Sequence, residues 1–543
     1  MTRFDKALID PSKAYSFTFN GKQMQGYAGD TLASALIANG QKLVGRSFKY
    51  HRPRGIFSAG PEEPNALVEL REGALQEPNT RTTVTELYDG LVATSQNHMG
   101  SLDFDLLAVN DLFAPFLSAG FYYKTFMWPK SFWEKVYEPA IRRAAGLGSL
   151  SGQPDPDVYD KGYRHCDILV IGSGPSGLSA AVAAGRAGAR VILAEDDFVM
   201  GGRLNADRPE VDGMDGADWA VQAVAELEEM PNVTLMSRTT VFGVYDGGVY
   251  GAVEKQTDHW VGSAAKPRQI LWRITAKRAI LAAGATERSI AFGNNDRPGV
   301  MLSGAVRTYV NRFGVSPGQK AAVLTNNDTG WATARDLVAN GVEVAAVIDT
   351  RSDAPLESID GAALIAGQAV ADTKGRKGIK EITLTNGQTI DVDLLAVAGG
   401  WSPNVHLTCH HRGKPVWRED IAAFIPNNSP IGLTPVGATA GTYGTSACLK
   451  EGRATANKIV KELGFTPSKA AAAKAEDEPS NITAFWHVGG GPRAWVDLQN
   501  DVTAKDVKQS HMEGFKSVEH LKRYTTLGMA TDQGKTSNVL GLA

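Results

Sequence analysis

Hydrophobic and polar residues near the start of the chain alternate with the two-residue period of paired strands. Residues 15–19 alternate in this way, and residues 23–27 repeat the pattern after the Asn-Gly pair at positions 20–21. An Asn-Gly pair between two such runs is typical of a tight hairpin turn. Residues 31–38 are small or apolar and follow Asp30, a residue type that caps helices. The pattern predicts strand, hairpin, strand and helix, which is how a β-grasp fold begins.

A β-grasp module of the plant ferredoxin type holds its iron–sulfur cluster on four cysteine thiolates. Residues 1–165 contain no cysteine, so we expect a ferredoxin-like module without a cluster. Two later segments stand out by composition. Residues 41–54 form a basic run, for which a solvated face is the ordinary interpretation and a contact with a phosphate or a partner subunit the alternative. Residues 110–137 are rich in aromatics, which predicts packing in a core or at a subunit interface.

The strongest periodic signal begins at residue 168. A short apolar run at 168–171 predicts a buried strand, and a glycine-rich turn separates it from an alanine-rich helix at 178–187. A second apolar strand at 191–194 then ends at Glu195. A strand, a Gly-x-Gly-x-x-Gly turn, a helix and an acidic residue about 20 positions later form the fingerprint of a dinucleotide-binding unit.

Each residue of this fingerprint has a separate physical role. Gly172 permits the tight turn, Gly174 lets the backbone approach a pyrophosphate, and Gly177 lets helix and strand pack closely. The start of the helix offers backbone N–H groups and a positive dipole end to phosphates. Glu195 can accept hydrogen bonds from a ribose and disfavours the extra phosphate of NADP. A fold that has lost its ligand is the alternative, and the intact glycines and acid argue against it.

Further segments fit a flavoprotein-like fold with two dinucleotide-binding domains. Residues 201–203 read Gly-Gly-Arg just after the second strand, where such folds contact the pyrophosphate. Residues 239–242 predict a strand that passes the adenine, residues 280–288 predict the return of the chain, and residues 436–438 predict the closing strand before a helix at 443–463. We therefore predict an α/β (Rossmann-type) fold behind the β-grasp module.

A second strand–helix–strand pattern covers residues 318–350, but its turn is degenerate. Residues 326–330 read Asn-Asn-Asp-Thr-Gly in place of the glycine-rich turn. Side chains at the early glycine positions should block the approach of a phosphate. The sequence therefore predicts one bound dinucleotide, with Asp349 in a structural role.

The patterns together predict six segments along the chain. We assign them as the β-grasp module (1–105), an aromatic-rich helical connection (106–160), the nucleotide-binding domain (161–300 with 400–465), the degenerate second domain (301–399), a linker of low complexity (466–480) and a C-terminal segment (481–543).

Composition excludes several functions. The 543 residues carry a formal net charge of −3, so nothing favours nucleic acid as a partner. The chain shows neither an apolar leader segment nor an apolar run long enough for a membrane span, so we expect a cytoplasmic protein. The three cysteines are far apart and form no redox pair of the disulfide reductase type. The histidines at 406, 410 and 411 could mark a metal site, but an interface cluster is the simpler interpretation.

Several runs resemble one family. They are the basic run at 46–55, the glycine-rich turn, the runs at 287–288, 292–300 and 401–407, and the tail runs Val-Asp-Leu-Gln-Asn-Asp-Val-Thr from 496 and Arg-Tyr-Thr-Thr-Leu-Gly-Met-Ala-Thr-Asp-Gln-Gly-Lys from 523. In these the chain is similar to the front half of the alpha subunit of heterotetrameric sarcosine oxidase. Alpha subunits of that family continue beyond this length into a folate-binding domain, so tetrahydrofolate is expected only where that domain is present.

The resemblance implies a noncatalytic subunit that holds NAD, with FAD as the alternative in the same site. It also implies beta, gamma and delta partner subunits, with FAD and a covalent FMN on the beta subunit, where amine oxidation takes place. The family motifs place NAD contacts on Gly172, Gly174, Ser176, Glu195, Asp196, Arg203, Val241, Ala438, Tyr443 and Thr445. The predicted cofactor site also includes Pro175, Gly177, Asp197, Gly202, Gly284 and Gly437.

Two other functions remain open from the sequence. One is the large subunit of a related FAD- and NAD-dependent amino-acid dehydrogenase, which the missing cluster cysteines and the tail disfavour. The other is a stand-alone NADH-dependent flavoprotein reductase. The degenerate second turn argues against it, because hydride transfer needs both nucleotides bound.

Overall fold

The computed structural model describes residues 3–4, 7–144, 147–260, 266–355 and 357–543. The chain forms two compact units that each combine segments distant in sequence. The first unit comprises Met1–Pro156, Glu287–Gly400 and Thr483–Ala543, and the second comprises Asp157–Thr286 and Trp401–Ile482. The six segments assigned from the sequence follow local patterns along the chain, and their boundaries stay a prediction.

The first unit opens with a five-stranded mixed sheet and one helix. Asn20 and Gly21 both have positive φ, as the hairpin between the first two strands requires. The helix Leu32–Ala38 is capped by Thr31 rather than by Asp30, whose carboxylate instead accepts a hydrogen bond from the Ser34 hydroxyl. In spatial order the strands are Lys22–Ala28, Asp10–Phe19, Leu91–Ser95, Leu67–Leu70 and Glu77–Arg81.

The loop that follows the basic run is organised by one buried carboxylate. Glu63 is fully buried, and its Oε2 accepts hydrogen bonds from the backbone N–H groups of Phe57 (2.9 Å) and Ser58 (2.6 Å). Its Oε1 accepts from those of Asn65 (2.8 Å) and Ala66 (3.0 Å). Burial raises the pKa of Glu63, while these four donors act to lower it. The carboxylate satisfies four backbone groups that would otherwise lie unpaired in the interior.

The central residues of the basic run do not form a solvated face, because they lie inside the first unit. A contact of the run with a phosphate or a partner subunit stays a prediction. Arg54 is 1% exposed and forms ion pairs with Asp296 and Asp501, the latter at 2.5 Å. Arg52 pairs with Asp296 at 2.6 Å. The Trp495 ring lies 5.2 and 5.3 Å from these two guanidinium groups. The run therefore joins the β-grasp module to distant parts of the same unit through buried ion pairs.

The rest of the first unit contains the second dinucleotide-type domain and the C-terminal segment. Its parallel sheet has the strand order Val300–Leu302, Leu394–Ala398, Lys320–Thr325, Glu343–Asp349 and Ala363–Ala366. The main helices are Ser303–Asn311, Thr329–Ala339, Ala504–Met512, Val518–Thr525 and Asn538–Leu542, and the smaller strands are Val370–Lys374, Glu381–Leu384, Thr389–Asp391, Trp495–Asp497 and Val502–Thr503.

The second unit is a sheet with helices packed against it. The predicted strand at 191–194 is observed as Val191–Ala194, and the predicted strand at 168–171 is the end of a longer one. In spatial order the sheet contains Val233–Met236, Val191–Ala194, Tyr159–Ile171, Gln269–Leu281, Val249–Lys255 and Thr239–Tyr245, and Leu433–Pro435 also pairs with Gln269–Leu281. The main helices are Pro175–Arg186, Gly216–Glu228 and Thr445–Glu462.

The segment predicted to be a linker, residues 466–480, packs within the second unit. The backbone N–H of Lys474 donates to the Asp212 carboxylate at 2.7 Å, and the N–H of Asp212 donates back to the Lys474 carbonyl at 2.8 Å. Ala473 and Ala475 join the apolar cluster beneath the glycine-rich turn. Low complexity at 466–480 therefore does not prevent this segment from making specific contacts.

Two of the three cysteines lie in the core of the second unit. Cys166 is 3% exposed on the central strand and Cys448 is 5% exposed on the last long helix, whereas Cys409 is half-buried. Burial raises the pKa of the Cys166 thiol to about 12 and that of the Cys448 thiol to about 11. Both are therefore protonated, unreactive thiols at neutral pH.

Replacing Glu63 by Gln should destabilise the first unit. The amide –NH2 of Gln would face two backbone N–H donors, so we expect a loss of more than about 2 kcal/mol in urea unfolding. The neighbouring Glu62 makes none of the four bonds, and Glu62→Gln should cost less than about 0.5 kcal/mol. Equal effects of the two substitutions would show that the buried carboxylate does not organise this loop.

Thiol labelling at pH 8 should modify one cysteine per native chain quickly. Cys409 is the expected site, because the other two thiols are buried and protonated. Mass spectrometry of the labelled peptides measures this directly, with the denatured chain as the reference for three reactive thiols. Fast labelling of a native Cys409→Ser variant would contradict the burial described here.

Candidate functional site

The glycine-rich turn joins the central strand of the second unit to the helix Pro175–Arg186. Gly172 has a φ of 96°, and a Cβ at this position would lie 2.4 Å from the carbonyl oxygen of Ala282. A Cβ on Gly177 would lie 1.9 Å from the carbonyl oxygen of Gly172. Only glycine fits at these two positions. A Cβ on Gly174 would meet no atom within 4 Å. The chain therefore leaves open space next to the one glycine that should face a pyrophosphate.

Glu195 ends the neighbouring strand and bonds to this turn. Its Oε2 accepts hydrogen bonds from the Ser173 backbone N–H at 2.7 Å and the Ser173 hydroxyl at 2.6 Å, and its Oε1 accepts from the Asp197 N–H at 3.0 Å. Burial raises the pKa of Glu195, and these donors act in the opposite direction. A carboxylate has about four acceptor positions. Three bonds therefore leave one for a ribose hydroxyl.

The acidic run continues at the edge of the site. Asp196 is exposed and accepts a hydrogen bond from the Thr240 hydroxyl on the next strand. Asp197 turns back toward the chain, since its side chain accepts from the Val199 N–H at 3.2 Å. Val241 is buried in the same apolar cluster as the strand ends that precede the turn and Glu195. Val241, which is expected beside the adenine, therefore packs close to the strand end that precedes Glu195, which is expected beside the ribose.

The Gly-Gly-Arg run lies against the turn. A Cβ on Gly202 would lie 2.9 Å from Cα of Gly174, and the Gly201 N–H donates to the Ser173 hydroxyl at 3.1 Å. The Arg203 guanidinium lies 5.1 Å from the Trp401 ring centroid and pairs with Asp207. Arg203 is partly exposed, and its contact with a pyrophosphate stays a prediction.

The closing segment also contacts the turn. Gly437 has a φ of 63°, and a Cβ there would lie 2.4 Å from the Ser176 hydroxyl. Its N–H donates to the Glu451 carboxylate at 2.9 Å. Gly284 is held to the same region, because its carbonyl oxygen accepts from the Thr439 hydroxyl at 3.1 Å. Pro175 is the first residue of the turn's helix, and Ala438 follows Gly437 in a short 3₁₀ turn.

The last long helix begins at Thr445, close to the turn. The helix predicted at 443–463 is observed as Thr445–Glu462, and the Tyr443 hydroxyl contacts the Trp401 carbonyl oxygen at 3.5 Å. A Cβ on Gly452 would lie 2.1 Å from the Ser176 carbonyl oxygen, so this helix packs very closely on the helix of the turn. The Asp477 carboxylate accepts from the Ala447 N–H at 3.1 Å, in the first turn of the last long helix.

Sequence reasoning missed four residues that shape this site. Ser173 links Glu195 to Gly201, Thr240 holds Asp196, and Asp477 binds the first turn of the last long helix. Trp401 lies beneath Arg203. Ser173 occupies a variable position of the fingerprint. Thr240 and Trp401 lie in runs that the sequence analysis named, but their contacts, like that of Asp477, are with residues distant in sequence, so no local pattern indicated these contacts.

The second dinucleotide-type turn is filled by its own side chains. The Asn327 carbonyl oxygen accepts from the Thr325 hydroxyl at 2.6 Å, and the Asn327 side chain accepts from the Thr329 N–H at 3.0 Å. Asp349 is fully buried and accepts from the Arg351 guanidinium at 2.7 Å and from the Trp331 indole at 2.9 Å. Both the phosphate position and the ribose acceptor of this domain are therefore engaged within the protein.

A metal site at the histidines 406, 410 and 411 was one alternative open from the sequence. No group of three or more potential metal-ligating side chains converges among the described residues. His410 is exposed, and its Nδ1 accepts a hydrogen bond from the Val244 N–H at 3.2 Å. In the part of the chain that the structure describes, no helix is long and apolar enough to cross a membrane.

Three family profiles match the chain. The 2Fe-2S iron-sulfur cluster binding domain matches residues 12–98, the pyridine nucleotide-disulphide oxidoreductase family matches residues 166–423, and the sarcosine oxidase A3 domain matches residues 491–543. These matches confirm the predicted order of a ferredoxin-like module and a flavoprotein-like fold. Residues 12–98 contain no cysteine, so they do not fit an iron–sulfur cluster.

Proteins with similar sequences agree with these family matches. The chain is 53% identical to the sarcosine oxidase subunit alpha of Rhizobium meliloti over 98% of its length, and 38% identical to that of Corynebacterium sp. (strain P-1) over 99%. It covers 55% and 53% of these two proteins, so it spans about half the length of the curated relatives.

A crystal structure of L-proline dehydrogenase from P. horikoshii shares the fold, with a TM-score of 0.68 and 20% identity over 99% of this chain and 94% of that one. The similarity to the two alpha subunits extends through the β-grasp module, the nucleotide-binding unit and the C-terminal segment alike. By these matches the chain belongs to the family of sarcosine oxidase alpha subunits.

Proposed function

We propose that this chain is the NAD-holding subunit of a heteromeric sarcosine oxidase. Such a complex oxidatively demethylates sarcosine to glycine, transfers the one-carbon unit to tetrahydrofolate and reduces oxygen to hydrogen peroxide. The observation that carries the cofactor assignment is the open space at Gly174, next to a turn whose other two glycines are sterically required. A site with this shape admits a pyrophosphate beside Gly174.

The residues present fit an ADP-containing dinucleotide. The helix Pro175–Arg186 begins at the turn and directs its N-terminal N–H groups and positive dipole end toward bound phosphates. Glu195 keeps an acceptor position for a ribose hydroxyl, and Asp196 and Asp197 add negative charge nearby. These carboxylates would repel the 2′-phosphate of NADP. NAD is the proposed ligand, and FAD is the alternative occupant of the same site.

A scaffolding role follows from the second domain. A nicotinamide cofactor supplies hydride transfer when a flavin or substrate lies beside it. The second turn of this chain is filled by Asn327, and its ribose acceptor, Asp349, is bound to Arg351. This turn therefore offers no matching site for a second dinucleotide. We propose that amine oxidation takes place on the beta subunit with its FAD and FMN, and that gamma and delta subunits complete a cytoplasmic complex.

Gly174→Val tests the cofactor site. Gly174 has an ordinary φ of −66°, so valine fits the backbone, and its side chain would project into the space assigned to the pyrophosphate. We expect the wild-type chain to release about one NAD per chain on acid treatment, and the variant to retain at least about tenfold less, since a tenfold loss needs only about 1.4 kcal/mol. Mass analysis of the extract identifies the nucleotide.

Gly378→Val provides the matched control. Gly378 lies in the first unit, and a Cβ there would keep 3.6 Å from its nearest neighbour, the Pro298 carbonyl oxygen. This variant should retain the nucleotide at the wild-type level. Unchanged nucleotide content in Gly174→Val would refute the assignment of the pyrophosphate position, and FAD in the extract would replace NAD as the ligand.

A further inference from the structure

The Ser173 hydroxyl joins two separate parts of the candidate nucleotide site. Ser173 is the second residue of the glycine-rich turn and is fully buried. Its Oγ donates a hydrogen bond to Oε2 of Glu195 at 2.6 Å and accepts one from the Gly201 N–H at 3.1 Å. A hydroxyl has a single proton and a backbone N–H can only donate, so the direction of both bonds is fixed. One side chain therefore connects the expected ribose acceptor to the Gly-Gly-Arg run.

Ser173 also favours the charged form of Glu195. Both its hydroxyl and its backbone N–H donate to Oε2, while the Asp197 N–H donates to Oε1. Donors of this kind stabilise a carboxylate relative to the neutral acid. Burial raises the pKa of Glu195 and the Asp197 charge acts in the same direction, whereas the bonds from Ser173 lower it. Ser173 thus helps to keep Glu195 an acceptor for a ribose hydroxyl.

The same bonds hold the Glu195 carboxylate in one orientation. Oε2 is bound to the turn through Ser173, and Oε1 is bound to the backbone of Asp197. A rotation of the carboxylate would break bonds at both oxygens, and hydrogen bonds to an ionised group are stronger than those between neutral groups. The acceptor position that remains on Glu195 therefore has a fixed place relative to the turn.

On the other side, Ser173 holds the Gly-Gly-Arg run close to Gly174. Gly201 has a φ of 126°, and a Cβ there would lie 2.7 Å from Oδ1 of Asn205, so the run fits closely between Asn205 and Ser173. A Cβ on Gly202, the next residue, would lie 2.9 Å from Cα of Gly174. The bond from Gly201 to Ser173 is therefore made beside the open space at Gly174.

A buried serine hydroxyl in a turn or helix often has no role beyond satisfying a backbone group. Ser179, in the helix that follows the turn, is an example, because its hydroxyl donates to the Leu449 carbonyl oxygen at 2.7 Å. Ser173 differs from Ser179 in its acceptor, which is an ionisable side chain of the candidate site. Ser179 therefore provides a matched control for a role of Ser173 in binding.

We propose that Ser173 is a positioning residue that lets Glu195 select a ribonucleotide over a 2′-deoxyribonucleotide. This inference rests on the proposed function, which supplies the nucleotide. When the 2′-hydroxyl of the adenosine ribose donates to Glu195, hydrogen bonds connect the ribose through Glu195 and Ser173 to Gly201. Recognition of the sugar is then coupled to the position of the Gly-Gly-Arg run beside the pyrophosphate.

Calorimetric titration of the full chain, freed of nucleotide, with ADP and with 2′-deoxy-ADP tests the proposal. ADP is the part that NAD and FAD share, so the result does not depend on which of them is the natural ligand. We expect the wild-type chain to bind ADP at least about tenfold more tightly than 2′-deoxy-ADP, the effect of one hydrogen bond to a charged group. In Ser173→Ala this preference should fall below about threefold.

Ser179→Ala should keep the wild-type preference, because this hydroxyl does not contact Glu195. A purely structural role of Ser173 would weaken the binding of both nucleotides by the same factor and leave their ratio unchanged. The ratio of the two dissociation constants is therefore the measurement that decides between positioning and general stabilisation.

Hydrogen exchange of the wild-type chain gives a second measurement that does not depend on whether Ser173→Ala folds. The Gly201 N–H should exchange at least about threefold more slowly with saturating ADP than with saturating 2′-deoxy-ADP, since only the ribose completes the series of bonds that ends at Gly201. Mass spectrometry of peptides that cover the Gly-Gly-Arg run measures this difference.

The outcomes separate this proposal from the proposed function. If the wild-type chain binds neither ADP nor 2′-deoxy-ADP, the nucleotide site itself is wrong. If it binds both equally, if Ser173→Ala keeps the wild-type ratio, or if Gly201 exchanges at the same rate with both ligands, only the positioning role of Ser173 is wrong and the nucleotide site stands.

Discussion

The nucleotide-binding unit depends on one backbone contact that only glycine permits. At Gly177 the helix approaches the carbonyl oxygen of Gly172 so closely that a single Cβ would overlap it. That approach places the start of the helix beside the open space at Gly174, and Gly452 lets the last long helix pack closely on the helix that follows the turn. Glu195, Gly202 and the closing segment all contact the turn that this approach shapes. The close packing around the turn thus depends on positions without side chains.

Local patterns in the sequence predicted the elements around that contact well. The strand Val191–Ala194 and the hairpin at Asn20 were predicted correctly because their periodicity and turn chemistry are contained within a few residues. Whether the predicted cofactor residues bind NAD stays a prediction. Long-range electrostatics could not be predicted in this way. The charges that neutralise Arg54 lie hundreds of positions away, so a basic run that is buried looks like a surface in the sequence.

The two dinucleotide-type domains share one topology, but the acid at the end of the second strand has different partners in each. Both place a helix after the first strand and an acid at the tip of the next. In the nucleotide-binding domain Glu195 keeps an acceptor position, whereas in the other domain Asp349 is bound by Arg351 and Trp331. The Arg351 guanidinium binds the Asp349 carboxylate, which a ribose would need as its acceptor. The fold is retained because these internal bonds satisfy the same polar groups that a ligand would satisfy.

The ion pair between Arg54 and Asp501 has a consequence for biosynthesis. The two residues are 447 positions apart, and at about 5–20 residues per second the ribosome needs roughly 20–90 s to progress from one to the other. During that interval the guanidinium of the nascent module lacks this counter-ion, and the Trp495 ring beside it does not yet exist. The N-terminal module therefore cannot reach its final packing before the residues around position 501 have been synthesised, although its own strands are translated first.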